Sequence, residues 1–415
     1  MVVPVARIAG ALQIQAAPEV LSVIAALGRT EDLSFSPSGR LIAIAGYLKN
    51  QIAVLAVDIR SRVDGKTIVV ERGVVISSPA LKKVHGLDFL DEDTIIAVNR
   101  GGGVPVFRIP PLDASATTCE VQPIRELVAD GVVGLDGPGS VVVSRTPGSC
   151  DALICNNFSN TVTRHRLDTT AGYRPISTEV LLRKWFDIPD GICISHDHEW
   201  IAVSQAGSGW VCVYPNTSSL HAESDPLAIL RQINYPHGLQ FSRCGRFLLV
   251  ADAGSPHVQV FQRPASGWYG VLHPVATWEV IGKPQFERGH VFRDEGGCKG
   301  LDLHPESAIL VTTCEFQTLV FFDVAVNLEN LFGATRPHAA EFLSFVPHES
   351  SAGPETIRSD RDRAAMEVAY ELHQLSNARN AIEAGIEGIR RTRSWRVTAP
   401  LRALSQLARR ILPSR

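Results

Sequence analysis

Several chemistries are excluded by what this 415-residue chain lacks. Its eight cysteines contain no C-x-x-C pair, which excludes zinc ribbons and thioredoxin-type redox sites. No apolar run reaches the roughly 18 residues that a membrane-spanning helix needs. The net charge is only −3, too small a balance to argue for nucleic-acid binding by the whole protein. No phosphate loop and no Ser-His-Asp order is present; Gly101-Gly102-Gly103 lacks the flanking strand and helix and reads as a turn. The apolar start of the chain is interrupted by Gln13 and Gln15, so it reads as strand rather than as a secretory leader. Cys155, Cys193, Cys212 and Cys314 fall inside expected strands, where a free thiol acts as a small buried hydrophobe. A reducing, cytoplasmic setting is expected.

What the chain does have is a repeat. A turn-flanked apolar strand, a polar turn and two more short strands recur six times, in copies beginning at Thr30, Val84, Gly139, Pro189, Pro236 and Cys298. The clearest read PHGLQFSRCGRFLLVADAGSPHVQVFQ and PDGICISHDHEWIAVSQAGSGWVCVY. Equivalent positions Leu33, Leu87, Ser140, Ile192, Leu239 and Leu301 lie 54, 53, 52, 47 and 62 residues apart. Strand-forming repeats of roughly 40–50 residues indicate a β-propeller, in which no blade can bury its faces alone. The expected fold is therefore all-β: a propeller over residues 1–350, of six blades, with seven as the alternative.

The copy from Pro236 shows how a blade is read. Leu239 and Phe241 alternate with polar residues, as on a half-buried strand, and Phe247–Val250 is a continuous apolar run suited to a strand covered on both faces. Outer fourth strands are expected at Thr67–Val75, Ser177–Leu182, Leu227–Ile233 and Val275–Ile281. Strand-like stretches at residues 3–27 and 341–346 could close the last blade or form a seventh. Residues 351–356 (SAGPET) read as a linker, and residues 357–415 as a basic helical tail. Met366, Ala369, Leu372 and Leu375 recur at helical spacing there, and the last thirty residues carry eight Arg against Glu387.

The first strand of a blade starts at one end of the central channel, and the antiparallel second strand finishes at that same end. Residues before first strands and after second strands therefore ring one mouth. The first set reads Glu31, His85, Asp190, His237 and Lys299; the second includes Asn99, Arg100, Asn156, Asn157, Gln205, Asp252 and Glu315. Carboxylates, imidazoles and an amine together supply metal ligands or a general acid–base set. His85, His237 and Lys299 are the candidate catalytic groups, and Asn99, Arg100, Gln205 and Asp252 the candidate substrate contacts. The opposite ends of the blades carry short Ser/Pro/Asp/Gly turns, which suit chain reversal.

The Pro-Asp-Gly and Pro-His-Gly turns before strands of the form apolar-x-apolar-Ser resemble the gluconolactonase/regucalcin family. Similar turns occur in lactonase-like YVTN and NHL propellers. The resemblance covers residues 30–325. It implies one divalent cation, Ca²⁺ or Zn²⁺, held by Glu31 and Asp190 with Asn156 or Asn157 as a third ligand. His237 departs from the family's carboxylate or amide, and Glu31 is followed by Asp-Leu rather than Gly-Pro. Separately, Ser394–Arg402 (SWRVTAPLR) resembles a tail element of bacterial surface-polysaccharide glycosyltransferases and methyltransferases. A Trp among several Arg, followed by an amphipathic basic helix, suits an anionic membrane surface or an acidic protein partner. Two functions follow. The first is a binding or assembly propeller for surface-polysaccharide synthesis, cytoplasmic and peripheral to the inner membrane, with a small-molecule ligand at its mouth. The second is a metal-dependent hydrolase of a sugar lactone or related ester.

Overall fold

The computed structural model describes residues 5–8, 10–62, 65–127, 134–290 and 294–333. The chain divides into two units, Met1–Arg358 and Ser359–Arg415, and all the described residues belong to the first. The linker, the basic tail and the stretch at 341–346 lie outside the described residues.

Six sheets form six blades. Blade 1 is Thr30–Phe35, Leu41–Gly46, Gln51–Arg62 and Gly65–Ser77; blade 2 is Val84–Asp91, Thr94–Asn99, Val104–Arg108 and Arg125–Leu127. Blade 3 is Pro138–Thr146, Ser149–Asn156, Thr161–Asp168 and Arg174–Leu182. Blade 4 runs from Pro189–Ile194 through Trp200–Gln205 and Trp210–Pro215 to Ala228–Leu230. Blade 5 is Pro236–Phe241, Phe247–Asp252, His257–Gln262 and Ala276–Glu279. Blade 6 contributes Cys298–Leu303, Ile309–Cys314 and Gln317–Asp323. Each innermost strand packs against the innermost strand of the next blade, and that of blade 6 packs against that of blade 1. The ring is therefore closed at six. All four expected outer strands are present.

The N-terminal segment forms no blade of its own. Val5–Arg7 pairs in parallel with the outer strand of blade 5, Leu12 N–H donates to Phe321 O of blade 6 (2.8 Å), and Gln13–Ala16 pairs in parallel with Gly65–Ser77 of blade 1. One short stretch thus crosses the outer edges of three successive blades. Residues Pro18–Ala26, read as strand-like, form a helix: Pro18 occupies its first turn, where a missing N–H costs nothing, and Glu19 favours that turn electrostatically. Val20, Ile24 and Leu27 pack with Leu33, Ile309 and Phe321, filling the seam between blades 6 and 1.

The other seams are filled by alternating apolar residues, such as Phe89 and Phe107 between blades 1 and 2 and Trp268 with Phe241 between blades 4 and 5. The eight cysteines are unpaired, and burial raises the thiol pKa values of Cys155, Cys193 and Cys212. Among the described residues, no helix is long and apolar enough to cross a membrane.

Candidate functional site

The repeat builds the site through one recurring irregularity. At the start of every innermost strand the pairing register shifts, between Thr30/Leu33, Val84/Gly86, Pro138/Ser140, Pro189/Ile192, Pro236/Leu239 and Cys298/Leu301. Such bulges re-aim side chains. Here they bring Glu31, His85, Asp190, His237 and Lys299 together at the channel mouth. Glycines beside them let neighbouring strands touch: a Cβ on Gly191 would lie 2.1 Å from His237 O, and one on Gly238 2.6 Å from Lys299 O. Blade 3 places Gly139 at the equivalent position, leaving a gap that Asn157 fills from the following hairpin. A Cβ on Gly139 would lie 2.1 Å from Asn157 Oδ1.

The bonding around this ring is dense. Lys299 Nζ lies 3.2 Å from Glu31 Oε2 and 2.6 Å from Glu295 Oε2. Arg29 also pairs with Glu31, with Glu295 (3.0 Å) and with Glu315 (3.6 Å). His237 Nε2 sits 3.2 Å from Asp190 Oδ2 and 3.6 Å from Glu31 Oε2, and its ring stacks on that of His85 at 5.3 Å. Arg100 Nη2 donates to His85 Nε2 (2.7 Å) and to Asp190 Oδ1 (3.0 Å), and Asn157 Nδ2 donates to the same Oδ1 (2.8 Å). His85 Nδ1 meets Gly139 O at 2.7 Å. A carbonyl only accepts and a guanidinium only donates, so His85 carries its proton on Nδ1 and a lone pair on Nε2.

Burial and neighbouring charge oppose each other here. Burial alone would raise the Glu31 carboxyl, but Lys299 leads the neighbours that hold it down to about 2. Burial would likewise raise Asp190, yet His237 and Arg100 hold it far below the usual carboxylate range. Burial, reinforced by Arg100, lowers His85 to about 3, so this imidazole is neutral at physiological pH. Four carboxylates (Glu31, Asp190, Glu295, Glu315) thus interleave with Arg29, Arg100, Lys299 and the two imidazoles. On the cavity wall, Asn157 Oδ1 is buried and has no hydrogen-bond partner among the described residues, and in the ring below it the closest contact of Glu31 Oε2 is the ion pair with Lys299 at 3.2 Å.

Above the ring lies a cavity of about 270 Å³, whose polar wall includes Arg29, Arg100, Asp190, Asn157 and Glu295. Tyr47, Tyr235, Phe158 and Ile188 form its apolar wall. Phe158 and Ile188 are exposed on its rim.

The structure gathers Glu31, His85, Arg100, Asp190, His237 and Lys299 into one cluster. Asn99, Asn156, Gln205 and Asp252 are directed elsewhere. Each ends a second strand and binds the segment that leads into its own blade. Asn99 Oδ1 accepts from Lys82 N–H, Asn156 Oδ1 from Asp136 N–H, Gln205 Oε1 from Asp187 N–H, and Asp252 from Asn234 and Tyr235 N–H. Tyr47 was missed by the sequence reading although it follows a second strand at the same register as Arg100 and Asn157. Arg29 and Tyr235 flank ring positions, and Glu295 lies on the connection between blades 5 and 6, where the repeat gives no signal.

At the opposite end, the turns close on themselves: Gly39 N–H bonds Ser36 O, His198 N–H bonds Ser195 O, and Gly245 N–H bonds Ser242 O, each at 2.8 Å.

Fold and ring define a six-bladed β-propeller with a polar mouth. No family model matches the chain, and no curated protein does. Among solved structures, it is similar to a functionally unknown protein from Desulfotomaculum acetoxidans DSM 771, with 13% identity over 71% of this chain and 83% of that one, at a TM-score of 0.45. It is also similar to a "putative 6-phosphogluconolactonase" from Bacteroides uniformis ATCC 8492, with 16% identity over 58% of this chain and 71% of that one, at a TM-score of 0.40. These distant likenesses concern the fold alone.

Proposed function

We propose that the chain is a binding propeller that seats a small polyhydroxylated molecule, of monosaccharide size, in its mouth. The observation that carries this reading is Asn157 Oδ1, a buried acceptor on the cavity wall with no hydrogen-bond partner among the described residues. A buried acceptor left empty costs about 1–3 kcal/mol. A ligand rich in O–H donors satisfies it. The rings of Tyr47, Tyr235 and Phe158 offer an apolar wall for the flat face of a sugar. Calorimetric titration of the full chain with neutral and amino monosaccharides tests this. At least one is expected to bind, and Asn157→Ala is expected to weaken it about tenfold or more, the equivalent of about 1.4 kcal/mol. Failure of every sugar, or unchanged binding by the variant, removes the reading.

A role in surface-polysaccharide assembly rests on the tail motif Ser394–Arg402, which supports a protein or anionic-membrane partner. Comparing partners and membrane association of the full chain with those of a chain ending at residue 354 checks it; no difference contradicts it.

The second reading, a metal-dependent hydrolase, is favoured by one observation: Glu31, His85 and His237 each bring a ligand atom within 4.8 Å of the other two. The donor types suit a transition metal better than Ca²⁺, which takes oxygen ligands. The surroundings do not fit. Arg100 donates to the His85 lone pair that a metal needs, and Lys299 and Arg29 crowd Glu31.

A further inference from the structure

We propose that the mouth reads a vicinal diol, one hydroxyl of the pair donating to Asn157 Oδ1 and its neighbour accepting from the guanidinium of Arg100. This rests on the reading of the mouth as a sugar site and names the feature of the sugar that is recognised. Asn157 and Arg100 stand side by side because they share an anchor. Asn157 Nδ2 donates to Asp190 Oδ1 at 2.8 Å, and Arg100 Nη2 donates to the same oxygen at 3.0 Å. Although burial opposes it, His237 and Arg100 keep Asp190 ionised, and a carboxylate only accepts. The amide therefore turns its NH2 group to Asp190, which leaves its oxygen on the cavity wall as an empty acceptor. The second carboxylate oxygen meets His237 Nε2 at 3.2 Å, so Asp190 is occupied on both oxygens and acts as a positioning residue.

Arg100 supplies the complementary half. Its Nη2 is spent on Asp190 Oδ1 and on His85 Nε2 (2.7 Å), and Nη1 makes one long contact with Gly137 O at 3.4 Å. A guanidinium carries five N–H donors. The second proton of Nη1 and that of Nε have no acceptor among the described residues, and the side chain lines the cavity. Arginine stays protonated at any accessible pH, so these donors are present throughout. An acceptor and a donor pinned to one oxygen suit two oxygens on adjacent carbons, the first giving a proton and the second receiving one. A sugar lacking either hydroxyl leaves one of the two groups unmatched, and a site built to hydrogen-bond a hydroxyl rejects the analogue without it.

Calorimetric titration of the full-length protein with D-glucose, D-galactose, D-mannose and D-glucosamine, and with the monodeoxy derivatives of each that binds, tests the assignment. Removing either of two adjacent hydroxyls is expected to weaken binding about tenfold, and removing any other hydroxyl less than about threefold. Asn157→Ala is expected to erase the penalty at one of the two positions and Arg100→Ala the penalty at the other, because each variant has already lost that hydroxyl's partner. Arg100→Met, which keeps the space filled, stands in if the alanine variant does not fold. A sugar that binds without an adjacent pair of sensitive positions overturns the diol and leaves the sugar site standing. Penalties that persist unchanged in the folded variants overturn it equally. Failure of all four sugars removes the diol together with the reading it rests on.

Discussion

Gly139 is the residue on which the mouth's shape turns. Five blades send a side chain into the ring, and blade 3 sends none, so Asn157 can lean across to Asp190 Oδ1. Adding one methyl group at 139 places a carbon 2.1 Å from Asn157 Oδ1 and 2.9 Å from Asp190 Oδ1, closer than real contacts allow. Gly139→Ala should expel Asn157 from the ring and weaken ligand binding about tenfold or more. The melting temperature should fall by only a few degrees, because the displaced side chain can move into the cavity. Binding at wild-type strength in a folded Gly139→Ala protein would mean that Asn157 takes no part.

At the scale of elements, the inner strands are tied to one another by carboxylates, buried at Asp302 and half-buried at Asp32 and Asp88. Asp32 accepts the N–H of Leu33 and of Leu87 in the next blade, Asp88 those of Phe89 and Val143, and Asp302 those of Leu303 and Phe35. Burial raises all three, and Asp302 reaches about 6 against an ordinary 3.8. The sign of the linkage follows. The native state holds the Asp302 proton more tightly than the unfolded chain does, so this stability is fully present below about pH 3.8 and is lost as pH rises through about 6. Asp302→Asn cannot titrate. Its stability relative to wild type should therefore increase between pH 4 and 7 in denaturant titrations, and a constant difference across that range would contradict this account.

The N-terminal segment is the second element-scale device. It covers outer strand edges of blades 5, 6 and 1, which would otherwise present unpaired backbone groups. Its helix adds Val20 and Ile24 to the seam where the ring closes. A chain lacking residues 1–28 should melt at a distinctly lower temperature and associate in solution, as read by thermal denaturation and gel filtration. A monomer of unchanged melting temperature would show that the ring closes without it. The sequence shows the strands of this device only in part. Gln13–Ala16 alternates as a strand does, but Pro18–Ala26 is short and apolar, and such a run does not distinguish helix from strand by periodicity. The blades are far more legible, because the same pattern repeats six times and Gly86, Gly191, Gly238 and Gly300 mark four of the inner turns. The ring residues are legible for the same reason. Whether Asn156 or its neighbour Asn157 enters the mouth depends on the pleat: Asn156 bonds back into its own blade, and only the next residue reaches Asp190. Glu295 lies on an irregular connection and carries no periodic signal.

Across the described propeller, the near end holds the buried ring of charges of both signs, the mouth cavity with the empty acceptor Asn157 Oδ1, and exposed Leu48, Phe158, Ile188 and Phe316 on its loops, whereas turns at the far end close on their own backbone. Loops on a rigid scaffold are where binding resides. The most direct test is a crystal structure of the protein soaked with a monosaccharide that binds in solution. The account predicts the sugar in the mouth cavity, with a hydroxyl donating to Asn157 Oδ1 and a ring face against Tyr47, Tyr235 or Phe158. A sugar at the far end of the channel, or one in the mouth that leaves Asn157 Oδ1 without a donor, would contradict it.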